Sequence, residues 1–148
     1  MLYGLQLLPS VLLLPSVLLE YYSYTIYRRF IMNKEILLNK DTLLNALNDY
    51  LLHIQLDPIG DITSKINAIK TCRNYVATID DDVVNADWVK SNWIVIVPAI
   101  NHYRKSLKRD IDDAQIINDE EALSKARAEY RNLQPFLNLL KPFRTLIS

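Results

Sequence analysis

The chain has 148 residues, half of them apolar and fewer than a quarter charged, which suits one folded domain and not a disordered tail. Its 17 basic and 17 acidic side chains cancel, so net charge draws it neither to nucleic acid nor to an anionic membrane. A single cysteine, Cys72, excludes an internal disulfide and a thiolate zinc cluster. Only two glycines, Gly4 and Gly60, occur, which excludes the glycine-rich turns of phosphate loops and dinucleotide folds.

Residues 1–31 differ in character from the rest. LPSVLL at Leu8 to Leu13 is repeated without change at Leu14 to Leu19. The apolar run from Leu7 to Leu19 is 13 residues, short of the roughly 20 that cross a bilayer as a helix, and Pro9 and Pro15 interrupt it. A basic n-region and a small-residue cleavage site, the marks of an export signal, are not evident. Met32 opens MNKEILLNKDTLLNAL, which reads as a fresh amino terminus, so the working domain is expected to span 32–148, with 1–31 a separate apolar segment dispensable to folding. The alternatives are that this apolar segment packs against the bundle or a partner, or that residues 5–31 anchor the protein to a membrane.

Four helical patterns follow. Asn39 or Asp41 caps the first, with Leu44, Leu47, Leu51 and Ile54 inward and Asn45, Asn48, Asp49 and Gln55 towards water; Asp57-Pro58-Ile59-Gly60 ends it. Asp61 caps the second, whose stripe is Ile62, Ile66, Ile69, Cys72, Val76 and Ile79. There Cys72 reads as a buried, inert thiol. The helix should stop before Asp80-Asp81-Asp82, because three like charges oppose the negative end of its dipole.

The third pattern starts at Asn85 or Asp87 and continues to about Ile117. Val89, Trp93, Ile96, Ile100, Tyr103 and Leu107 recur at spacings of 4, 3, 4, 3 and 4, one side of a helix. Pro98 is expected to kink or divide it, since it removes a donor and crowds the carbonyl of Ile94. The run Trp93 to Val97, WIVIV, also suits a buried strand, but the helical period passes through it and no second strand candidate exists to pair with it. The fourth pattern, capped from Asn118 or Asp119, carries Leu123, Ala126, Tyr130, Leu133, Leu137 and Leu140; Pro135 lies off that stripe and Pro142 is expected to close it. The fold class is therefore all-α, a small antiparallel bundle of about four helices, one kinked at Pro98.

Chemistry is harder to find. His53 reads as a core-edge imidazole and His102 as a neighbour of the basic run, with no serine, cysteine or acid expected at a helical spacing that would make a nucleophile and base pair with it. Asp80-Asp81-Asp82 with Asn85 and Asp87 lacks the glycine and ligand spacing of a calcium loop, and reads as a solvated helix stop. Asp110 and Asp113 share a face and read as polar surface, paired weakly with nearby cations. No catalytic, metal or cofactor residue is expected.

The nine tyrosines and two tryptophans favour contact with other macromolecules. The fourth helix carries apolar length beyond what the first can cover, so Leu133, Phe136, Leu137, Leu140 and Phe143 are the candidate interface of a self-associating, non-enzymatic, cytoplasmic interaction module. The competing expectation is nucleic-acid binding through Arg104, Lys105, Lys108 and Arg109, on the side away from Ile100, Tyr103 and Leu107.

Overall fold

The computed structural model describes residues 37–146, and every structural statement below concerns them. The chain divides into two units between Ile36 and Leu37, and the described helices belong to the second. The expectations for residues 1–31, including the membrane anchor, lie outside the described residues. Among the described residues no helix is long and apolar enough to cross a membrane.

Five helices make an all-α bundle: α1 (Lys40–Leu56), α2 (Thr63–Ala77), α3 (Ala86–Ser91), α4 (Trp93–Ile116) and α5 (Glu120–Arg144). The fifth helix arises because the third pattern divides, at Asn92 and not at Pro98. Asn92 closes α3 and precedes α4, and its Nδ2 donates to the carbonyl of Trp88 at 2.8 Å. A side chain that satisfies the backbone in this way offers the chain an exit from the helix.

Pro98, Pro135 and Pro142 all lie inside helices, so the expectation that Pro142 closes α5 is corrected: that helix continues to Arg144. The carbonyls deprived of a donor belong to Ile94, Arg131 and Asn138, and all three residues are exposed.

Caps fix the other boundaries. Asn39 Oδ1 accepts from the Thr42 N–H at 2.9 Å; at α2 the expected Asp61 cap is corrected, since Ile62 takes the cap position without a side-chain cap bond and Asp61 Oδ1 accepts from the Thr63 N–H at 3.2 Å one residue earlier. That helix ends at Ala77, ahead of the three aspartates. The segment from Asp82 to Val84 is clipped to the start of α1, with the Lys40 N–H on the Asp82 carbonyl and the Val84 N–H on the Leu38 carbonyl, both 2.8 Å. Between α4 and α5, Asn118 takes a φ of 56°, the left-handed conformation that asparagine tolerates. The Asp119 N–H then reaches the Ala114 carbonyl at 3.0 Å, while the Asp119 carboxylate accepts from Ala122 at 3.1 Å. One residue thus closes a helix with its backbone and opens the next with its side chain.

The core gathers Leu38, Leu43, Leu47, Ile69, Val76, Val89, Ile96, Ile100, Leu133, Phe136 and Leu140. Burial of each such side chain contributes about 1.5–3 kcal/mol. Cys72 is buried with them, and burial pushes its thiol pKa up, which keeps it protonated and inert. The main partner of α5 is α4, which also packs on α1. That pairing overturns the expected apolar excess. A helix of 25 residues lies along one of 24, and Trp93 stacks on Phe143 at 5.6 Å.

Candidate functional site

The candidate interface on α5 is corrected first. Leu133, Phe136, Leu137 and Leu140 are buried in the chain's own core, and Phe143 is half-buried against Trp93. In this fold the first four pack into the chain's own core, where α4 is the main partner of α5, and only Phe143 keeps part of its surface.

The basic residues fare differently. Asn101, Arg104 and Lys105 occupy positions i, i+3 and i+4 of α4, and Lys141 and Arg144 stand at i and i+3 in the last turn of α5. With Thr145 they line one cleft of about 430 Å³ between the two helices. Four cations and no acid form its wall. The carbonyl end of α5 contributes only about half a negative charge, too little to offset four full positive ones. Among the described residues none of these cations has an ion-pair partner.

Two buried side-chain polar atoms in the described residues lack a hydrogen-bond partner, Asn101 Oδ1 and Arg104 Nε, and both belong to residues of this wall. An enclosed polar group without a partner costs about 1–3 kcal/mol, so natural folds rarely leave one without a reason.

The expected basic face is thereby divided. Arg104 and Lys105 face the cleft, whereas exposed Lys108 is not among its lining residues. Arg109 turns the other way and donates from Nη2 to Ser106 Oγ at 3.3 Å. Arg104 is half-buried, not on a fully solvated side. Lys141, Arg144 and Asn101 were not anticipated. Their signal was present in the antiparallel arrangement itself, which returns the end of α5 to the first half of α4.

Two further clusters are polar but self-contained. His102 Nδ1 and Asp49 Oδ2 lie 2.9 Å apart, and Ser106 Oγ donates to the same oxygen at 3.3 Å. His53 lies 4.3 Å from His102 between ring centroids, with Tyr50 beside both. Asp49 is thus half-buried and engaged, contrary to its expected place in water. Ser106, one turn from His102, was overlooked as a neighbour, yet it bonds Asp49 and not the imidazole, so no activated nucleophile results.

In the second cluster Thr42 Oγ1 donates to Glu129 Oε1, and Asn45 Nδ2 donates to Glu129 Oε2 at 3.0 Å. Glu129, Tyr103, Asp110, Asp113 and Lys125 line a cavity of about 470 Å³. Its charges are of both signs and Glu129 is already engaged, so it is the weaker candidate for a charged ligand. Among the described residues no group of three or more histidines, cysteines or acids is placed to hold a metal ion.

Burial raises the Tyr103 pKa well above its ordinary value, and the charge of Glu129 and their hydrogen bond add to the rise. An unfolded tyrosine ionises near about 10. Above that pH the unfolded chain releases a proton that the folded chain still holds. Stability present at neutral pH is therefore lost as the pH rises past the unfolded value towards the folded one. Tyr103→Phe should consequently move the onset of alkaline unfolding, followed by circular dichroism, to higher pH. An unchanged midpoint would show that Tyr103 is not the group responsible.

The chain matches no protein-family model, no curated protein and no solved structure. What fold and site define together is a class only, a small all-α bundle with a cation-lined cleft between its two longest helices.

Proposed function

We propose that this domain binds nucleic acid through the phosphate backbone, with Arg104, Lys105, Lys141 and Arg144 as the contacts. The observation that carries the reading is the lining of one inter-helix cleft by four cations and no acid. Opposed cations on two antiparallel helices hold a polyanion from both sides, which a single helix face does not. Zero net charge limits long-range attraction, so the affinity expected is that of local phosphate contacts, in the range of about 10⁻⁴–10⁻⁶ M that non-specific binding shows.

Fluorescence anisotropy with labelled oligonucleotides tests it. Each phosphate neutralised steepens the dependence of log affinity on log salt by about 0.9 on duplex DNA and about 0.7 on single strands. Four engaged cations therefore give slopes of about 3.6 and about 2.8 at most. Changing all four to alanine should abolish binding at low salt with the helical signal intact. Binding unaffected by the quadruple change would place the contact elsewhere, and no binding by the wild type would end the proposal.

Self-association is kept as a second reading on one observation. Leu52 and Leu56 share a face of α1 and are 54% and 76% exposed, and Ile59 just beyond them is 82% exposed. An apolar stripe of this kind suits a second copy of the chain. Sedimentation equilibrium returning the mass of one chain at every concentration would exclude it.

A further inference from the structure

We infer that the cleft is built for RNA in preference to DNA, with Asn101 accepting a hydrogen bond from the ribose 2′-hydroxyl beside a phosphate held by Arg104. The inference rests on the nucleic-acid reading above and goes further by choosing between its two sugars.

Its basis is the chemistry of the two enclosed polar atoms without partners. Arg104 Nε is a donor and Asn101 Oδ1 an acceptor, three residues apart on α4, so they stand on adjacent turns of one helix face. A phosphate alone answers only the donor, since its oxygens accept and do not give. A ligand that answers both brings an anionic oxygen and a hydroxyl side by side. Each ribonucleotide repeats that pairing along the strand, and a deoxyribonucleotide has the phosphate without the hydroxyl. The surrounding wall supplies Lys105, Lys141 and Arg144 for neighbouring phosphates.

Engagement requires movement, because both atoms are enclosed. Asn101 and Arg104 are themselves only half-buried and line the cleft, so the movement required is a turn of the amide about Cβ–Cγ and of the guanidinium about its outer torsions. Once outward, the guanidinium presents Nε and one Nη together, a fork that fits two phosphate oxygens and that a lysine does not reproduce.

The test uses the full chain and three labelled oligomers of one sequence: RNA, DNA and 2′-O-methyl RNA. The last keeps the ribose shape but has no hydroxyl to donate. RNA should bind at least about tenfold more tightly than DNA at equal salt, a gap worth about 1.4 kcal/mol, and 2′-O-methyl RNA should bind as DNA does. Asn101→Leu, checked for unchanged helicity, should bring RNA to within about twofold of DNA while leaving the salt dependence as it was. Arg104→Lys, which keeps the charge, should weaken all three.

Equal affinity for RNA and DNA would overturn the inference and leave the nucleic-acid reading standing. So would tight binding of 2′-O-methyl RNA, which would assign any preference to helix shape. An Asn101→Leu variant that weakens RNA and DNA alike would make the amide a phosphate donor, which also overturns it. Failure of the wild type to bind any of the three would remove the nucleic-acid reading itself.

Discussion

Changing Phe136 and Leu140 together to serine should unfold the helical domain and not merely alter its assembly. Both side chains are fully buried, in a core that α5 shares principally with α4. Truncating a buried phenylalanine costs about 3–5 kcal/mol and a buried leucine about 2–5 kcal/mol. Serine adds an unpartnered hydroxyl at each site. A domain of this size has about 5–15 kcal/mol of net stability, so the pair removes most or all of it. Thermal unfolding followed by circular dichroism should lose its cooperative transition. A folded double variant with a changed oligomeric mass is the outcome expected of an exposed interface, and it would refute the burial described here.

That outcome separates what the sequence discloses from what it withholds. Periodicity identifies the inward residues of α5 almost completely, since Leu123, Ala126, Leu133, Leu137 and Leu140 are all buried and Tyr130 is half-buried. It does not say which helix covers them. The comparison of α5 with α1 suggested surplus apolar length, whereas the actual partner is α4, of nearly the same length. A similar limit affects α1. The stripe Leu44, Leu47, Leu51 and Ile54 is only part of what is inward, because Thr42, Leu43 and Ala46 are buried too and Leu44 only half so. A helix that meets α2, α4 and α5 buries a wider arc than a narrow stripe implies.

The candidate site was legible to a similar degree. Clustered cations mark the middle of α4, and two of the four, Arg104 and Lys105, belong to the cleft. Helical spacing alone did not show that Arg109 would be drawn towards Ser106, nor that Lys108 would fall outside the cleft lining. Its other wall comes from Lys141 and Arg144, some 40 residues further on. Cations at the carboxyl end of a helix ordinarily do no more than complement its dipole. Only the antiparallel return of α5 converts two ordinary surface features into opposing walls. No periodicity in one segment contains that information.

The largest single-residue effect should come from Ile96→Asp, with Ile94→Asp as its near-silent counterpart. The two isoleucines flank Val95 in the β-branched run WIVIV, which on propensity alone suits a strand. In a strand they would share a face, since side chains alternate with a period of two, and both substitutions would be costly or both mild. In α4 they stand about 200° apart around the axis, which accounts for 0% exposure at Ile96 and 69% at Ile94. Placing a carboxylate at Ile96 forces it to be buried unpaired or to take up a proton, at a cost of several kcal/mol either way. At Ile94 the carboxylate stays in water near the amino end of α4, where the dipole favours a negative charge, so the change should lie within about 0.5 kcal/mol of zero. Chemical denaturation of the two variants measures the contrast: Ile96→Asp should lose most of its denaturant midpoint while Ile94→Asp keeps it. Equal and large losses would return the segment to a buried strand, and equal and negligible ones would remove this turn of α4 from the core.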